Sequence, residues 1–67
     1  MSNETEITIK TGRHRICGYV GDREVMSMMT LSRKWIIGSS SCLPTDVALA
    51  RLYVECMRQV LDAAAKA

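Results

Sequence analysis

The chain has no phenylalanine, one tryptophan, two tyrosines, one proline and one histidine among its 67 residues. A fully aromatic base-stacking platform therefore has few residues to draw on. The lone His14 removes multi-histidine metal sites from consideration. Cys17, Cys42 and Cys56 are three, odd in number, and contain no C-x-x-C pair. An odd, scattered set argues against a secreted disulfide framework and for a reducing compartment. Structural zinc sites present paired ligands, so the expected metal and cofactor content is none. No apolar run approaches the about 18 residues of a membrane span. The first residues, Met1-Ser2-Asn3-Glu4-Thr5-Glu6, lack the basic start and apolar stretch of a secretory signal. A cytoplasmic location is expected.

What is present is globular in composition. Hydrophobic residues make up 48% and charged residues 24%, enough apolar surface to offset chain entropy. The length allows one domain. A chain this short buries only about 60% of the surface its unfolded form exposes. Small scaffolds of this kind commonly lean on a disulfide, a metal or a second subunit. With the first two disfavoured, a homodimer is expected.

Net charge is +2, unevenly spread. Residues 1–9 are net −2, residues 10–44 net +4 and residues 45–67 neutral. The central excess comes from Lys10, Arg13, Arg15, Arg23, Arg33 and Lys34 against Asp22 and Glu24. Such an excess can steer an anionic partner. It can equally be a solvated face that keeps sheet edges apart.

Residues 1–5 are expected to be flexible and residues 6–67 to form one α+β domain, with strands over about 6–39 and a helix over about 45–65. Glu6-Ile7-Thr8-Ile9-Lys10 alternates polar and apolar, the mark of a half-buried strand. Apolar parity shifts at Ile16 and Val20, so a turn or bulge is expected near Gly12, within a hairpin or one bent strand. Gly21-Asp22 suits a type II′ hairpin turn. In residues 23–31, Val25, Met29 and Leu31 share one parity, and Met26 and Met28 the other. Ser32-Arg33-Lys34 is a polar break, Trp35-Ile36-Ile37-Gly38 a short strand, and Ser39-Ser40-Ser41-Cys42 a loop. Together these predict an antiparallel meander of three or four strands.

Thr45 is the expected N-cap of the helix, with Asp46 in its first turn. Leu49, Leu52, Tyr53, Cys56 and Val60 form one apolar stripe, and Ala50, Val54, Met57 and Leu61 a second beside it. Asp62–Lys66 and Glu55–Arg58 are the expected helical ion pairs. The apolar arc exceeds the about 100° needed to cover one sheet face. One stripe packs within the chain, and the other is the candidate dimer or partner interface, with a sheet edge as the alternative.

Catalysis finds little support. There is no nucleophile elbow, phosphate-binding loop or H-E-x-x-H. An enzyme would need a carboxylate brought to His14 by the fold. Nucleic-acid binding is the sharper alternative. Arg13, Arg15, Arg23, Arg33 and Lys34 could meet phosphates or an acidic protein, and Tyr19 or Trp35 could stack on bases. Trp35, beside Ile36 and Ile37, also reads as core. Met26, Met28, Met29 and Met57 suit an adaptable contact surface, or fill a core that lacks phenylalanine.

Ile7-Thr8-Ile9, Arg15-Ile16, Lys34-Trp35, and Pro44-Thr45 opening an Ala48-Leu49 helix carry a further pattern. Over residues 6–61 it resembles small β-β-β-α proteins encoded by temperate phages and prophages of enteric bacteria. The resemblance implies a non-enzymatic modulator or inhibitor acting on a host protein, and transfers no site residue.

Overall fold

The chain forms four strands and then a helix: β1 (Ile7–Thr11), β2 (Arg15–Val20), β3 (Arg23–Leu31), β4 (Lys34–Ser40) and α1 (Val47–Lys66). The structure is a computed structural model and describes residues 4–67. The strands make one antiparallel sheet in the order β1-β2-β3-β4. The fold is α+β, with α1 packed across β1, β2 and β3. Edge strand β4 extends beyond this cover.

Of the N-terminal stretch 1–5, residues 1–3 lie outside the described residues. Glu4 and Thr5 form a turn, and Glu4 lies close enough to Gly21 that a Cβ there would come within 2.9 Å of its backbone.

Each connection is short. Thr11 pairs with Ile16 across the loop that contains Gly12, and the Gly12 amide donates to the Arg15 carbonyl at 2.7 Å. Gly21-Asp22 joins the paired Val20 and Arg23. Gly21 has φ 62° while Asp22 stays out of the left-handed region, the type II′ pattern. Ser32 and Arg33 join the paired Leu31 and Lys34. The polar break is thus a two-residue turn, and Lys34 already belongs to β4. Strand β4 also runs on through Ser39 and Ser40, which were expected in a loop. Pairing of Met26 with Ser40 and Ser27 with Ser39 extends it.

The strict alternation expected in β3 is interrupted. Gly18 pairs with Met26 and Tyr19 with Glu24, so Val25 is an extra residue opposite a bulge. A bulge lets neighbouring residues share a face. Val25, Met26 and Met28 accordingly all enter the core cluster with Ile16 and Val20. Val25 therefore parts from Met29 and Leu31, which are exposed.

The N-cap is Asp46 rather than Thr45. Asp46 is extended (φ −73°, ψ 122°), and its carboxylate accepts from the Leu49 amide at 3.0 Å. A carboxylate at the cap meets free amides and the positive end of the helix dipole together. The first apolar stripe faces the sheet: Tyr53, Cys56 and Val60 are buried, with Leu49 and Leu52 packed at the margin. Asp62 pairs with Arg58 at 2.8 Å, where Lys66 was the expected partner. Glu55 also pairs with Arg58, so one guanidinium bridges two carboxylates.

Candidate binding surfaces

The cross-strand register determines which side chains share the sheet face opposite α1. Ile16, Gly18 and Val20 face the helix, so Arg15, Cys17 and Tyr19 alternate to the open face. Across β3 and β4, Arg15 pairs with Met29, and Met29 with Ile36. Leu31 pairs with Lys34 one step along. Met29, Leu31 and Ile36 therefore form a contiguous apolar group, each 39% exposed or more. Arg15 and Lys34 border it, and Arg33 stands in the adjoining turn.

Toward the other end of the strands, away from the β3–β4 turn, the open face turns polar. Cys17 pairs with Ser27, and Ser27 Oγ meets Ser39 Oγ at 2.8 Å. Cys17 and Ser27 are nonetheless buried by their neighbours. Lys10 Nζ stands 5.2 Å from the Tyr19 ring centroid, within cation–π range. Burial raises the Tyr19 hydroxyl above its ordinary value, with Cys17 and Glu24 adding to the shift. Arg15 reaches Glu24 at 3.8 Å, with both groups largely solvated. Such a pair contributes under about 1 kcal/mol.

The structure divides the expected basic set. Arg13 lies in the β1–β2 loop, Arg15 starts β2, and Arg33 and Lys34 lie where β3 turns into β4. Meander topology brings these four to one end of the sheet. Arg23 starts β3 at the other end. There it lines a cavity of about 470 Å³ with Glu4, Asp22 and Tyr53. His14 is exposed in the β1–β2 loop, and among the described residues no ion pair reaches it. Cys42 is exposed, Cys56 is buried, and all three thiols are free. Burial raises the Cys56 thiol above its ordinary value. Its Sγ donates to the Tyr19 carbonyl at 3.7 Å. Among the described residues no three metal-ligating side chains come together, and no helix is long and apolar enough to cross a membrane.

The second helix stripe divides as well. Val54 and Leu61 are 52% and 45% exposed. Met57 packs partly against the core, and Ala50 is half-buried. Val47, omitted from the expected stripe, is exposed and lies seven residues before Val54. A shallow groove of about 350 Å³ runs past Pro44, Val47, Ala50 and Val54. Beside the stripe, the Arg58 guanidinium donates to Glu55 and Asp62, and Gln59 donates to Glu55. The hydrogen bond from Arg58, then that from Gln59, holds the Glu55 carboxyl down at about 2. Arg58 itself is raised, chiefly by its hydrogen bond to Glu55.

Sequence reasoning gave Leu31 and Ile36 no surface role, counted Lys10 only in the basic excess, and left Met29 between a contact surface and the core. Their alternation was visible, but the face each takes depends on the bulge and on which strands lie alongside. Comparison with protein-family models, with curated proteins and with solved structures found no match.

Proposed function

We propose that the chain is a small non-enzymatic binding protein, a phage-derived modulator or inhibitor that works in the cytoplasm as a homodimer. It contacts a host protein through the open face of its sheet. The observation that carries this reading is the exposed group Met29, Leu31 and Ile36, with Arg15, Arg33 and Lys34 around it. An apolar centre with a charged rim is the anatomy of a protein contact surface. Methionine and leucine adapt to a partner's shape, and the cations speed encounter with an acidic one. The fitting partner presents an apolar patch rimmed by carboxylates. The phage origin rests on the pattern resemblance.

The test is affinity capture from a nuclease-treated enteric-bacterial lysate, with wild-type protein beside Leu31→Asp/Ile36→Asp. Both side chains are exposed, so the variant keeps its core. The expected result is a near-stoichiometric protein held by the wild type and released by the variant. Equal retention by both removes the open face as the site.

A second reading, nucleic-acid binding, is favoured by one arrangement: Lys10 over the ring of the half-buried Tyr19, with Arg13, Arg15, Arg33 and Lys34 at one sheet end. It predicts oligonucleotide binding that weakens steeply with salt, and a flatter salt slope for Arg13→Ala/Arg15→Ala.

A further inference from the structure

The chain exposes 5008 Å², whereas a monomer of 7.5 kDa is expected to expose about 4250 Å². The excess, roughly 750 Å², is close to the about 800 Å² that each partner buries in a standard interface. Its Cα radius of gyration is likewise 11.9 Å, against about 10.9 Å for a compact chain of this length. On α1, Val47, Val54 and Leu61 are exposed large apolar side chains.

Val47, Ala50, Val54, Met57 and Leu61 are spaced three, four, three and four residues apart. At about 100° per residue they fall within an arc of about 80°. This is a heptad seam beside the stripe that packs on the sheet, with Met57 alone of the five reaching the core margin. Its valines and leucine stand out into solvent, while its alanine is small enough to admit a side chain from a facing helix. An antiparallel second copy centred between Val54 and Met57 sets Ala50 of each chain against Leu61 of the other. It also sets Val54 against Met57. Each layer then pairs a smaller with a larger side chain, which is how facing helices fill space without voids.

The charges beside the seam suit the same orientation. Arg58 is shared by Glu55 and Asp62, leaving that cluster net −1. Among the described residues Arg51 has no ion pair, and it lines the groove along the seam. The antiparallel register brings each Arg51 to the other chain's acidic cluster at Asp62. In a parallel arrangement equal positions beside the seam lie on opposite flanks, so Arg51 would stand away from the partner's Glu55–Arg58–Asp62 cluster.

We infer that a second copy of this chain docks on the α1 seam of Val47, Ala50, Val54, Met57 and Leu61, antiparallel, with Arg51 facing the partner's Glu55–Arg58–Asp62 cluster. The inference rests on the homodimer reading above and specifies its interface and direction.

The test is sedimentation equilibrium across a concentration series, with circular dichroism to confirm folding. Wild type is expected at twice 7.5 kDa. Val54→Asp is expected to weaken dimerisation about thirtyfold or more. Arg51→Glu and Asp62→Arg should each weaken it several-fold, and their combination should recover most of the loss. A wild-type monomer would overturn both the homodimer and its seam. A dimer indifferent to Val54→Asp would overturn the seam and leave the homodimer standing. If Val54→Asp dissociates the dimer but the charge pair shows no recovery, the antiparallel register is wrong. A dimer broken by Leu31→Asp/Ile36→Asp instead would place the interface on the open sheet face.

Discussion

Gly18 and Val60 meet so closely between sheet and helix that a single added carbon has nowhere to go. A Cβ at Gly18 would collide with Val60 Cγ2 and lie 2.7 Å from Cys56 Sγ. Both neighbours are fully buried on α1 and cannot swing aside. The absence of a side chain at this one position sets how closely the helix approaches β2. Gly18→Ala should therefore destabilise by about 1–3 kcal/mol through overpacking, read as a lower urea midpoint. Gly18→Ala combined with Val60→Ala should recover part of the loss. An unchanged midpoint in the single variant would mean that helix and sheet are not in this contact.

The β3–β4 turn carries strain. Ser32 and Arg33 have φ 54° and 66°, the left-handed region where side chains crowd the backbone. Positive φ at both central residues is the type I′ pattern, which favours Asn-Gly. Ser32→Asn with Arg33→Gly should stabilise the fold by about 1–2 kcal/mol. Chemical denaturation reads this directly, and a loss of stability would show that the turn has another geometry.

Removal of the Asp46 cap should cost about 1 kcal/mol. Asp46→Ala leaves the Leu49 amide without its acceptor, whereas Thr45→Ala should change little. Thermal melting of the two variants distinguishes the caps. Equal losses would return Thr45 to consideration.

Glu55 gives a pH signature. Its folded carboxyl is held at about 2, below the ordinary 4.5, first by the Arg58 hydrogen bond and then by Gln59. A depressed acid contributes stability that is present above its unfolded value and is lost as pH falls through the folded one. Thermal stability should therefore decline between about pH 4.5 and about 2. Glu55→Gln should flatten that part of the profile. The site is solvated, so the effect is modest and shrinks in high salt. A profile identical in the variant would remove Glu55 as its source.

The order of elements could be read directly from the sequence because local physics governs it. Alternation at Ile7 and Ile9, glycine at position 21 and the long run from Val47 to Lys66 each specify a local conformation. The inward stripe of Tyr53, Cys56 and Val60 was legible for the same reason: helical period alone puts these residues on one face. Only tertiary structure decided where Val25 points, because the bulge opposite Gly18 and Tyr19 is a property of two paired strands. It also separated Arg23 from Arg13, Arg15, Arg33 and Lys34, since a meander sends alternate strand ends to opposite poles. The open-face group of Met29, Leu31 and Ile36 exists only through register, which couples residues distant in sequence. Local patterning determined the elements of this protein, and long-range pairing decided its surfaces.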